Sequence, residues 1–131
     1  MGKRSTARRL AMQAIFQAEL TRTDASEALE NLFADEKVTE EGRDFASKLA
    51  NSVMKNKEKL DEKISALSKN WSIDRISALD KSILRLALYE LMHEKGTPGA
   101  VIINEAVELA KRYGDPESAK FINGILGSAV I

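Results

Sequence analysis

The sequence predicts an all-α fold: a compact bundle of about seven helices arranged as two small sub-bundles, roughly residues 1–70 and 71–131. Three observations predict it. Only two prolines and seven glycines interrupt the 131 residues. Apolar residues recur at three- and four-residue spacing. Ala, Leu, Glu and Lys dominate the composition, and these residues lose little side-chain freedom in a helix. At 44% hydrophobic residues, the chain has enough apolar material for a shared core. No flexible linker or internal repeat divides it.

The first helix is expected from about residue 4 to 21, with Ala7, Ala11, Ala14, Ile15 and Ala18 on one face. Asp24 caps a short second helix carrying Ala28, Leu29, Leu32 and Phe33, and Thr39 begins a third with Phe45, Ala46, Leu49, Ala50 and Val53 at core spacing. A fourth follows directly, marked by Leu60, Ile64 and Leu67; Ser68 to Ser72 then reads as a corner into which Trp71 packs, with Ser72 capping a single turn. Ser77 and Asp80 form a capping-box pattern ahead of Ile83, Leu84, Leu86, Ala87, Leu88 and Leu91. That helix is apolar nearly all round and belongs in the middle of a bundle. Gly96, Thr97 and Pro98 are expected to close it and open the next, through a capping hydroxyl and a first-turn proline. At Gly114 the glycine is expected in the left-handed conformation, with Asp115 as cap and Pro116 opening the terminal helix.

Composition excludes several function classes. Without cysteine there is no disulfide, thiolate metal site or cysteine nucleophile, which fits a reducing compartment. No run of about 18 apolar residues exists, and the N-terminus lacks the apolar core of a secretory signal, so a cytoplasmic location without membrane contact is expected. The single histidine, His93, sits at the end of the apolar helix, where a dipole contact or plain exposure is the expected role. The carboxylate pairs Asp61/Glu62 and Glu40/Glu41 are adjacent rather than convergent, and no phosphate-cradling glycine loop follows a strand. No enzyme, metal or cofactor is expected.

Twenty basic and twenty acidic residues cancel, yet their distribution is uneven. Residues 1 to 18 hold Lys3, Arg4, Arg8 and Arg9 with no acid, whereas residues 19 to 45 hold nine acids and three bases. Screening confines each charge to roughly 8 Å, so the basic segment suits phosphates even on a neutral protein; a solubilising tail is the plain alternative. At 100° per residue, Phe121 lies about 100° from the core stripe of Ile122, Ile125, Leu126 and Ala129, beside Glu117, Lys120, Gly124 and Ser128. A ring at a helix rim next to a cation suits stacking with an unpaired base, and it equally suits packing on another helix. Phe16 repeats the situation beside Arg9 and Gln13, although it also belongs to a Met12, Phe16, Leu20 stripe that reads as core. If the first and last helices are adjacent, the arginines and Phe121 form one RNA-type surface.

Beyond these readings, INEAVELAKRYG (Ile103 to Gly114) and SAKFINGIL (Ser118 to Leu126) resemble the C-terminal signature of the NusB family of transcription antitermination factors. The preceding stretch Trp71 to Leu91, with LDKSILRLALYEL, and ARRLAMQAIFQ (Ala7 to Gln17) are similar in the family's order, so the resemblance spans essentially the whole chain. It implies a single NusB-like RNA-binding domain and a non-enzymatic role in transcription regulation. The implied partners are the small-ribosomal-subunit protein NusE, boxA-type single-stranded RNA and the RNA polymerase antitermination complex of ribosomal RNA operons, with a homodimer of the free protein left open. Carried over, it implies RNA binding by Lys3, Arg4, Arg8, Arg9, Gln13, Phe16, Glu117, Lys120, Phe121 and Asn123. Asp80 is implied as a partner contact, or else serves only as the cap described above. Two alternatives remain: a helical protein–protein adaptor without RNA binding, and a stand-alone relative of the N-terminal domain of RNA cytosine methyltransferases.

Overall fold

The computed structural model describes residues 2–69 and 72–129, and among them every regular element is helical. The chain divides into two compact units between Asn56 and Lys57. The division does not fall at the Ser68 to Ser72 corner, because the fourth helix packs with the helices that follow it. Trp71, expected in that corner, lies outside the described residues.

In the first unit α1 (Lys3–Thr21) packs on α2 (Ala25–Asp35) and α3 (Glu40–Lys55). Its buried alanines, Ala7, Ala11, Ala14 and Ala18, present little bulk and allow close approach, while Leu10, Met12 and Ile15 fill the remaining space. α1 ends at Arg22, whose φ of 56° is left-handed. The Asp24 carboxylate then accepts from the Ser26 amide at 3.2 Å, and Thr39 Oγ1 accepts from the Gly42 amide at 3.0 Å, so both expected caps are made.

In the second unit α5 (Ala78–His93) packs on α4 (Lys57–Leu67), α6 (Gly99–Tyr113) and α7 (Ser118–Ala129). Neighbours on three sides explain its near-continuous burial from Ser82 to Leu88. Ser77 Oγ accepts from the Asp80 amide at 3.1 Å, the forward half of the capping box. A short 3-10 turn, Ile73–Arg75, precedes it without a side-chain cap from Ser72.

Two expected turns differ in detail. α6 begins at Gly99, and the Pro98 carbonyl accepts from the Val101 and Ile102 amides, with no side-chain cap at this end. The fixed φ of Pro98 and its free carbonyl start the helix unaided. Gly114 has φ −89° and ψ −178°, extended rather than left-handed. Its glycine is required by space instead: a Cβ there would lie 2.6 Å from Ser118 Cβ and 2.8 Å from the Ala110 carbonyl oxygen. The Asp115 carboxylate accepts from the amides of Glu117 and Ser118 and from the Ser118 hydroxyl, so α7 starts at a buried serine tied to its cap.

Candidate nucleic-acid interface

In the first unit two of the N-terminal cations, Arg4 and Arg8, meet one aromatic ring. Arg4 and Arg8 place their guanidinium carbons 4.6 and 5.6 Å from the centre of Phe45 on α3. Lys3 and Arg4 are exposed, whereas Arg8 is only 4% exposed. Of the four cations implied as phosphate contacts, Arg8 is thus the covered one. That side chain lies one helical turn further along α1, where α3 covers it, and its stem and head group complete the packing between the two helices. Arg9 donates to Gln13 Oε1 at 3.2 Å and forms an ion pair with Glu36, the residue that ends α2. Phe16 is half-buried. Phe45 and Glu36, the partners of these cations, were not singled out by sequence reasoning. Phe45 reads as one more core residue of α3, and Glu36 is 27 positions from Arg9.

In the second unit a cavity of about 740 Å³ is lined by Asp80, Ser118, Lys120, Phe121, Gly124 and other residues of the same unit. Phe121 is half-buried at its edge, and Lys120 and Glu117 are exposed beside it. Asn123 is not in this cavity. It lines a separate groove of about 540 Å³ with α6 residues including Ile103 and Val107, and Lys120 borders both hollows. Of the α7 candidates, then, the structure brings Glu117, Lys120 and Phe121 together with Asp80, and sets Asn123 on the α6 side.

Asp80 is 8% exposed, and its Oδ1 is buried without a hydrogen-bond partner. Burial pushes its carboxyl above the usual range; a hydrogen bond from Ser118 opposes the shift, the nearby Asp115 carboxylate adds to it, and Ser77 opposes it again. Asp80 is thus both the first-turn residue engaged by the Ser77 cap and a wall of the cavity, so its two expected roles are not exclusive. Among the described residues, no group of three or more His, Asp or Glu side chains could hold a metal ion, and no helix is long and apolar enough to cross a membrane.

A cationic helix end in one unit and an aromatic-edged cavity with a lysine at its rim in the other are the elements of phosphate and base recognition. The sequence model of the NusB family matches residues 5–130. A transcription antitermination protein NusB from Desulfitobacterium hafniense (strain DSM 10664 / DCB-2) is 46% identical over 130 residues, spanning 97% of this chain and 87% of that protein. Among solved structures, NusB of T. maritima superposes with a TM-score of 0.90 at 39% identity, covering 95% of this chain and 88% of that one. A crystal structure of the antitermination factors NusB and NusE in complex with dsRNA contains a chain that superposes with a TM-score of 0.88 at 25% identity, covering 96% of this chain and 94% of that one.

Proposed function

Because the chain belongs to the NusB family of transcription antitermination proteins, which are not enzymes, we propose that it pairs with the small-ribosomal-subunit protein NusE and binds boxA-type single-stranded RNA. In this reading it acts within the RNA polymerase antitermination complex and sustains processive transcription of ribosomal RNA operons. The observation that carries it is the half-buried Phe121 ring at the edge of a cavity it shares with Lys120 and Glu117. An aromatic face beside a cation takes one unpaired base and its phosphate together. Lys3, Arg4 and Arg9, with Gln13 and Phe16 alongside, supply further phosphate and backbone contacts from α1. Arg8 acts mainly by holding that helix end in place, and Asn123 contacts RNA or partner from the α6 side.

The test measures RNA affinity of the purified chain with and without NusE, using a labelled single-stranded boxA-type RNA. Phe121→Ala is expected to weaken binding to the heterodimer by about 1–3 kcal/mol with a nearly unchanged melting temperature. A large loss of stability would identify Phe121 as a packing residue, and a heterodimer with no RNA affinity would leave a protein–protein adaptor. Because a related NusB–NusE complex is described with double-stranded RNA, duplex recognition is the second reading. Competition between the single strand and its duplex separates the two.

A further inference from the structure

Two arginines share the half-buried Phe45 ring, and they differ in how much of each reaches solvent. Arg8 is 4% exposed, so its head group belongs to the packing of α1 on α3. Arg4 is exposed, yet its guanidinium carbon stands closer to the ring centre, at 4.6 Å against 5.6 Å. An exposed arginine near a helix start ordinarily samples many rotamers, because nothing restrains its long side chain. Here the start of α1 is held against α3 as well: a Cβ at Gly42, in the first turn of α3, would lie 4.0 Å from the Lys3 carbonyl oxygen, an ordinary van der Waals contact. Among the described residues no carboxylate lies within ion-pair distance of Arg4, whereas Arg9 is paired with Glu36. The Phe45 ring is neutral, so it holds the Arg4 cation in place and leaves its charge uncancelled.

We propose that Phe45 is a positioning residue for RNA binding: its ring seats the Arg4 guanidinium before the nucleic acid arrives, so that a phosphate meets a cation already in place. The gain is one of preorganisation. An arginine that must be immobilised on binding loses its rotamer freedom at that moment, and one already held on a ring has lost it in the free protein. A carboxylate would hold Arg4 as firmly, but it would compete with the phosphate for the same charge. The inference rests on the RNA reading above and adds to it a residue of α3 that acts through an arginine of α1.

The experiment is a double-mutant cycle on the full chain paired with NusE, titrated with labelled single-stranded boxA-type RNA. Arg4→Ala removes the cation, and Phe45→Leu keeps an apolar side chain but removes the ring. Phe45→Leu is expected to weaken RNA binding about two- to tenfold, the range set by freeing one long side chain. The double variant should bind no more weakly than Arg4→Ala alone, and Phe45→Tyr, which retains a ring face, should bind as wild type does. Replacing Phe45 by a ring-fluorinated phenylalanine keeps the shape of the side chain while withdrawing the negative charge of its face. That protein should reproduce the loss of Phe45→Leu at an unchanged melting temperature, and it carries the test if Phe45→Leu does not fold. Losses that add in the cycle overturn the proposal, since Phe45 would then act through the fold rather than through Arg4; a fluorinated protein that binds as tightly as wild type overturns it too. A wild-type complex without RNA affinity overturns the RNA reading itself.

Discussion

Arg85 on α5 holds Asp61 on α4 in a two-pronged ion pair, with Nε 2.7 Å from Oδ1 and Nη2 2.9 Å from Oδ2. The Arg85 side chain is 1% exposed and that of Asp61 25%, on two helices whose Leu60, Ile64, Ile83 and Leu84 are buried as well. Such a geometry fixes the register of α4 on α5, because both prongs are made only at one sliding position.

Removing the acidic partner therefore leaves a buried cation short of two charge-assisted bonds. Asp61→Ala is expected to cost about 3 kcal/mol in chemical denaturation, reduced from the fully buried case by the partial exposure of the carboxylate. A loss below about 1 kcal/mol would mean that water replaces the pair at no cost.

Gly114 offers a second stability test with a purely steric cause. Its extended backbone is open to any residue, yet a Cβ would strike Ser118 and the Ala110 carbonyl within 3 Å. Gly114→Ala should destabilise by about 1–3 kcal/mol, through displacement of the buried Ser118 that ties α7 to Asp115. An unchanged or raised melting temperature would show that the turn yields freely.

These two sites mark what is legible in the sequence. The caps at Asp24, Thr39 and Ser77 can be read directly, because each is an exchange between a side chain and a backbone amide within three residues. The nearly all-round apolar character of α5 shows that it is central, but not that Arg85 is inside, since its partner lies 24 residues away. The same distance problem hides Glu36 from Arg9. Gly114 is correctly picked as a position that needs glycine, but for the wrong reason, because φ cannot be read from residue type while a tertiary contact decides it. For the candidate site, helical geometry places Phe121 at a rim, yet the cavity beside it needs Asp80 from α5, which is legible only as a cap.

The cations of α1 separate by environment. Lys3 and Arg4 are exposed, so replacing each by Ala should reduce the slope of log affinity against log salt by about 0.7 for a single-stranded RNA. Arg8→Ala should act on stability instead, costing about 1–2 kcal/mol for the covered cation on Phe45. If Arg8→Ala flattens the salt slope while the melting temperature holds, the assignment is reversed.

In the proposed reading Glu36 competes with RNA phosphate for Arg9, since both are anionic acceptors for one guanidinium. Glu36→Gln should raise affinity for boxA-type RNA several-fold with little change in stability, because a partly exposed ion pair contributes only about 0–1 kcal/mol. Titration of the wild-type and variant heterodimers at one salt concentration checks this; equal or weaker binding by Glu36→Gln removes Arg9 from the phosphate contacts.

The buried Asp80 carboxyl makes stability depend on pH in a direction fixed by its cause. Burial raises its folded-state value above that of the unfolded chain, so the folded protein holds the proton more tightly. At pH below the ordinary carboxylate value, about 4, both states are protonated and the native state gains in full from that difference. As pH rises, the unfolded chain ionises first, and the advantage is lost through the interval up to the raised native value. Asp80→Asn cannot titrate, while the other charged groups around the cavity, Asp115, Glu117, Lys69, Arg75 and Lys120, are the same in both proteins and largely cancel in the comparison. The melting temperature of the wild type minus that of Asp80→Asn should therefore fall as pH rises through and above the ordinary carboxylate value of about 4. A difference that stays flat or grows would mean that the hydroxyls of Ser77 and Ser118, which favour the charged carboxylate, outweigh its burial.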